Sequence, residues 1–251
     1  MSRSHSTALA TAAILTLQFM FALDSQVMTV ALPSIQDDLG LSAAGLSWIP
    51  NGYAIAFGGL ILLGSRLGDR FGRVGLFAVG AGLFVVASLV GGLAPTSGIL
   101  IGARVVQGLG AALAAPSVLA LISTMALTPA ARTRGLAMFT VMSAIGASFG
   151  LILGGVLTDL ASWRWGLLVN VPIGILVIAV VTRQVKNQTH PQAGRFDVPG
   201  ALFATVSSVT LVWAFLYTAD HGWADLRTAI LFVAAALLIT LLIIVERRSA
   251  S

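Results

Sequence analysis

Residues 62–77 read LLGSRLGDRFGRVGLF, a short polar interruption between two strongly apolar runs. Four charged residues, Arg66, Asp69, Arg70 and Arg73, share it with Gly68 and Gly72, although only 9% of the chain is charged. What such a turn means depends on its flanks. The 251 residues are 57% hydrophobic, with a mean hydropathy of +0.97, and one soluble globule of this length cannot hide so much apolar surface. The chain therefore reads as a membrane protein, and 62–77 as a loop at the bilayer surface.

A helix needs about 20 mostly apolar residues to cross the hydrocarbon. Eight stretches qualify, near 8–32, 45–65, 74–94, 99–124, 135–157, 165–182, 200–218 and 228–245, which predicts an all-α polytopic protein. The first is expected to stay uncleaved rather than serve as a signal peptide, because Asp24 lies in its apolar run and further spans follow. If the N-terminus is cytoplasmic and the spans alternate, Arg3, Arg66, Arg70, Arg73, Arg132, Arg134, Arg183, Lys186, Arg195, Arg247 and Arg248 share one side. Only Arg164 and Arg227 fall on the other, and Arg104 lies inside a span. This bias predicts a plasma (inner) membrane protein with both termini in the cytoplasm. Trp48, Trp163, Trp165 and Trp223 then fall at the outer boundary, as an interfacial aromatic belt would. The polar stretch RQVKNQTHPQAGRFDVPG (183–200) separates six spans from two. The expected organisation is a six-helix bundle over 1–182, a cytoplasmic linker over 183–199, and two further helices with a short tail over 200–251.

Composition also excludes functions. The chain has no cysteine, and His5, His190 and His221 are scattered in polar segments, so no metal site or cofactor is expected. The net charge of +5 is explained by loop topology rather than by nucleic acid. A membrane enzyme is disfavoured, because no histidines or paired carboxylates converge and the loops are too short for a catalytic domain.

Asp24 and Arg104 are the charges expected well inside the hydrocarbon, where either one alone costs at least roughly 2.5–3.5 kcal/mol. Counted at about 1.5 Å per residue from the same membrane face, they lie at similar depths. They read either as an ion pair that orients two helices or as a proton-loading carboxylate controlled by an arginine. Burial favours the neutral acid and a guanidinium favours the carboxylate, so small movements would shift the balance. In the fifth span Gly146, Gly150 and Gly154 recur every four residues, with Gly155 adjacent. One helix face thus lacks side chains, giving either ordinary close packing or a seam that slides during transport. Gly108 and Gly110 lack the third glycine and the preceding strand of a nucleotide fingerprint, and read as packing residues.

Four motifs resemble the major facilitator superfamily, and within it the fourteen-helix drug:proton antiporters. LDSQVMTVALP (23–33) is similar to the family's L-D-x-T-V-x-N-V-A-L-P, and SRLGDRFGRV (65–74) to G-x-x-x-D-R-x-G-R-[KR]. RVVQGLGAA (104–112) matches R-x-x-Q-G-x-G-A-A through Arg104, Gln107, Gly108 and Gly110, and GASFGLILGG (146–155) resembles G-x-x-x-G-P-x-x-G-G. SWRWGLLVNVPIG (162–174) is similar to the family's W-R-W-x-F-x-x-N-x-P run. Ser65 replaces a glycine, Val74 a basic residue and Leu151 a proline, which removes an expected kink. The resemblance implies proton-coupled efflux of small amphiphilic drugs or metabolites by alternating access. Asp24 and Arg104 would form the coupling site, and Ser65, Asp69, Arg70, Gly72 and Arg73 a cytoplasmic gate whose aspartate caps the third span. A nutrient uptake carrier would share the fold and the gate loop but not the glycine pattern of the fifth span. Family members comprise two six-helix bundles with two helices between them, and this chain corresponds to the first bundle plus those two. The alternative expectation is therefore a truncated or half-size subunit that needs a second polypeptide, or a second copy of itself, to transport.

Overall fold

A computed structural model describes residues 2–185 and 198–249. These residues are helical almost throughout, with no strand among them. In chain order the helices are α1 (Ser2–Leu39), α2 (Ala43–Phe71), α3 (Arg73–Gly92), α4 (Ser97–Met125), α5 (Pro129–Leu160), α6 (Arg164–Leu168), α7 (Asn170–Gln184), α8 (Val198–His221) and α9 (Leu226–Ser249). Each expected span is present, α6 and α7 together making the sixth. Among the described residues, seven helical stretches are long and apolar enough to cross a bilayer, and α8 carries a shorter apolar segment, Phe203–Thr218.

Local chemistry sets the boundaries. α1 runs seven residues past the expected end at 32, through Pro33, because Ile35 is fully buried and packing outweighs the proline's missing donor. It stops at Gly40, whose φ of +62° allows Leu41 N to donate to Gln36 O, as a left-handed glycine terminus does. Ser42 then caps α2 by accepting from Gly45 N at 3.1 Å. α2 and α3 are joined by Gly72 alone, at φ +96°. The sixth span breaks at Val169, since Pro172 has no N–H to offer the carbonyl of Leu168.

Short turns make consecutive spans alternate in direction. The α2–α3 and α4–α5 turns and the end of α7 gather Arg66, Arg70, Arg73, Arg132, Arg134 and Arg183 at one end, here the basic end. Arg164 and Arg227 lie at the opposite end. α4 packs between α2 and α3, α1 packs on α5 and α7, and α8 leans on α2 and α9. One apolar cluster, including Ile14, Phe77, Val118 and Val181, fills the bundle toward the basic end. A second, including Ile35, Ile49, Leu100 and Trp163, fills the other. Of the expected linker, Arg183 and Gln184 belong to α7 and Val198 and Pro199 to α8, and 186–197 lie outside the described residues.

Candidate functional site

Between the two apolar clusters lies a fully buried polar group drawn from four helices. α1 contributes Asp24, α3 Ser88, α4 Arg104 and Gln107, and α7 Asn170, none more than 1% exposed. Arg104 and Gln107 stand three apart and so share one face of α4. Asn170 follows the Pro172-induced interruption directly. Arg104 Nη1 donates to Asp24 Oδ2 at 2.5 Å and to Gln107 Oε1 at 2.8 Å. Asp24 Oδ1 accepts from Asn170 Nδ2 at 2.8 Å and from Gln107 Nε2 at 3.2 Å. Ser88 Oγ accepts from Gln107 Nε2 at 2.8 Å and from Asn170 Nδ2 at 3.4 Å. Asp24 and Arg104, matched above only in depth, are in contact.

This arrangement meets the cost of burying charge. The ions neutralise each other, and the remaining carboxylate lone pairs meet amide donors, without which a buried pair is a net burden. On its outer side the Arg104 guanidinium lies over the Tyr53 ring, 4.6 Å from the centroid. Tyr53 in turn stacks on Phe57 and is partly exposed, so it separates the cluster from the surface. Two atoms stay unpartnered, Arg104 Nε and Asn170 Oδ1. Ser88 and Tyr53 carry no mark in the sequence, and Asn170 appears there only as the asparagine of the 162–174 run. The signal available for Asn170 was an amide standing two residues before a proline in an apolar run.

The glycines explain how the helices come close enough to build this group. A Cβ on Gly108 would lie 2.4 Å from Tyr53 O, and one on Gly110 would lie 2.6 Å from Gly80 O. Gly108 therefore admits α2 and Gly110 admits α3. On α5, Cβ atoms at Gly146 and Gly150 would reach Phe19 O at 2.5 Å and Leu23 O at 2.6 Å, and one at Gly154 would reach Val27 Cα at 3.0 Å. These three form the expected side-chain-free face, laid on the stretch of α1 that carries Asp24. Gly155 does not belong to that face: a Cβ there meets nothing within 4 Å, because it points about 100° away from Gly154. Leu151, in the proline position, is 49% exposed on α5.

At the basic end the expectation for Asp69 needs correction. Asp69 lies in the last turn of α2, not at the start of α3, and α3 begins after Gly72 with no side-chain cap. Asp69 instead pairs with Arg73 across the turn, one helical turn on in sequence. Gly72 N closes α2 by donating to Gly68 O, and Leu76 N opens α3 by donating to Gly72 O. Arg73 folds back over Gly68, where any Cβ would meet its guanidinium at 2.7 Å. Ser65 is half-buried on α2 and Arg70 is exposed. The turn borders a cavity of about 350 Å³ that also meets Thr7, Thr124 and Gln184.

The opposite end is tied by Asp38, which accepts from Arg164 Nη1 at 2.6 Å and from Trp163 Nε1 at 3.0 Å. Arg164 Nη2 also donates to Ala94 O, joining α1, the α3–α4 turn and α6. Trp163 is thus 3% exposed and belongs to the core rather than to the expected belt, because its ring packs with Ile35, Ile49 and Leu100 while its indole N–H still reaches the exposed Asp38 carboxylate. Trp213, not counted in that belt, lies against Trp48.

No group of three or more histidine, cysteine, aspartate or glutamate residues suited to a metal occurs among the described residues. The family model described as Major Facilitator Superfamily matches residues 14–248. The chain is 41% identical to the puromycin resistance protein of Streptomyces alboniger, over 94% of this chain and 46% of that protein. It is 39% identical to the cephamycin export protein of Amycolatopsis lactamdurans, over 99% and 52%. The chain therefore spans about half the length of the curated relatives it matches. Among solved structures, a peptide transporter in complex with sulfate superposes with a TM-score of 0.63 at 17% identity, covering 94% of this chain and 50% of that one. A bacterial homologue of the human lysosomal transporter Spinster superposes at 0.62 and 18% identity, over 93% and 60%. At such identities these two speak for the fold alone.

Proposed function

The chain belongs to the major facilitator superfamily and is a multi-pass membrane protein, and on that premise we propose that it forms the N-terminal part of a proton-coupled exporter of small amphiphilic compounds. Asp24 takes up and releases the proton. Arg104, held by Gln107 and the Tyr53 ring, sets how readily the carboxylate gives up its charge, and Asn170 reports the change to α7. The glycine face of α5 lets α1 shift against it, and the 65–73 turn gates the basic end, which faces the cytoplasm of a plasma-membrane protein. The observation that carries this reading is the Asp24 carboxylate, fully buried yet held by Arg104 and two amides. The names of the resistance and export proteins above support the direction of transport.

Because the chain spans about half of each of those relatives, the complete substrate path needs a second bundle. That bundle is supplied by further sequence, by a partner polypeptide or by a second copy. The test is accumulation of an amphiphilic cationic drug in energised cells expressing the chain, with a protonophore in parallel. The reading requires that export collapses with the protonophore and in Asp24→Asn. Full proton-coupled export by Asp24→Asn would refute it.

A further inference from the structure

α2 and α8 cross tightly and then part. At Gly59 a Cβ would lie 2.2 Å from Val209 Cγ2 and 3.2 Å from Val209 Cα, and at Gly58 it would lie 3.1 Å from Val212 Cγ2. Beyond this crossing, toward the end where α2 begins and α8 finishes, the helices diverge around a cleft of about 570 Å³. On α2 it is lined by Ser47, Trp48 and Asn51, and on α8 by Trp213, Tyr217 and His221. The two indoles meet edge to face at 6.2 Å between centroids, each a little under half exposed. Beyond them, toward the end of α8, Tyr217 and His221 stack in parallel, 3.9 Å apart. The remaining lining residues, Ala43, Ile55 and Leu216, are apolar.

We infer that this cleft is a binding site for lipophilic organic cations, separate from the buried Asp24 group. Three features select that chemistry. Ring faces attract a diffuse cation, most strongly those of tryptophan. Among the described residues no lysine or arginine lines the cleft, so it carries no fixed positive charge to repel a cation or to hold a phosphate or carboxylate headgroup. The crossing at Gly58 and Gly59 closes the cleft below, so a bulky amphiphile enters from the membrane boundary and stops there. Asn51 offers a polar contact to its solvated side. An interfacial aromatic belt alone would place the same residues at this depth, but it would not require a floor.

The test uses the full chain in phosphatidylcholine nanodiscs and radiolabelled tetraphenylphosphonium. Binding is expected to saturate, and to weaken by about tenfold in Trp48→Leu and in Trp213→Leu, the scale of one favourable cation–ring contact. Trp48→Phe and Trp213→Phe, which keep a ring face with little change in packing, are expected to stay within about threefold. Trp223→Leu, at the same boundary but outside the cleft, should bind as the parent does. A neutral analogue, tetraphenylmethane, should fail to compete. Non-saturating uptake, equal affinity in the Trp→Leu variants, or equal competition by the neutral analogue would each overturn the site. None of these outcomes depends on whether the chain exports anything.

Discussion

Two alanine substitutions on α5 put the glycine seam to a quantitative test. At Gly150 the added methyl meets Leu23 O at 2.6 Å, Gln26 Cβ at 2.8 Å and Leu23 Cα at 3.1 Å, mostly backbone that cannot swing aside. α1 and α5 must move apart by several tenths of an ångström, and overpacking of this kind costs about 1–3 kcal/mol. At Gly155 the same methyl meets nothing within 4 Å. The helix-propensity gain of alanine over glycine, about 1 kcal/mol in water, applies to both positions and cancels in the comparison. It is also smaller here, because a span in lipid stays helical when its neighbours separate. Gly150→Ala should therefore fall about 1–3 kcal/mol below Gly155→Ala, and Gly155→Ala should match or exceed the parent. Thermal unfolding of both variants in detergent, followed by the fraction eluting as a monodisperse peak, reads the difference. Equal midpoints would mean that α1 and α5 do not touch at Gly150, and would remove the structural basis for a seam beside Asp24.

Three further outcomes follow from the same contacts. Replacing one member of the buried pair, as in Arg104→Gln, strands a charge and should cost roughly 3–5 kcal/mol, while Asp24→Asn/Arg104→Gln should cost clearly less than the two single changes added together, as a double-mutant cycle of unfolding would show. Gly72→Ala forces a side chain into φ +96° in a one-residue turn and should destabilise by about 1–3 kcal/mol, visible as a lower melting midpoint. Trp163→Phe keeps most of the buried ring but loses the donor to Asp38, and should cost about 0.5–1.5 kcal/mol in the same assay.

Much of this was legible in the sequence because hydropathy and bilayer thickness constrain each other. The spans, the basic end and the matched depth of Asp24 and Arg104 follow from counting residues along helices. Rotation about a helix axis does not follow from counting. Ser88 is one of many small polar residues in apolar runs, and nothing but its facing α4 and α7 makes it a partner of Gln107 and Asn170. Gly154 and Gly155 look alike in sequence, yet only the first faces α1. The apolar run starts the third span just after Arg73, which puts Asp69 near its beginning, whereas α2 continues through Asp69 and Arg70 to Phe71. Trp163 reads as a belt residue because its indole partner, Asp38, is 125 residues away in sequence.

The unpartnered oxygen of Asn170 acquires a meaning once donors and acceptors are tallied around Asp24. An ionised carboxylate can only accept, so it fixes the neighbouring amide with its NH₂ toward Oδ1, and the amide oxygen is left facing away without a hydrogen. A neutral Asp24 carries a hydrogen of its own and tolerates either orientation of that amide, including the one in which the stranded oxygen accepts from it. One side chain, at the point where the sixth span is interrupted, is thus confined to a single orientation by an ionised group on the first and released to two by a neutral one.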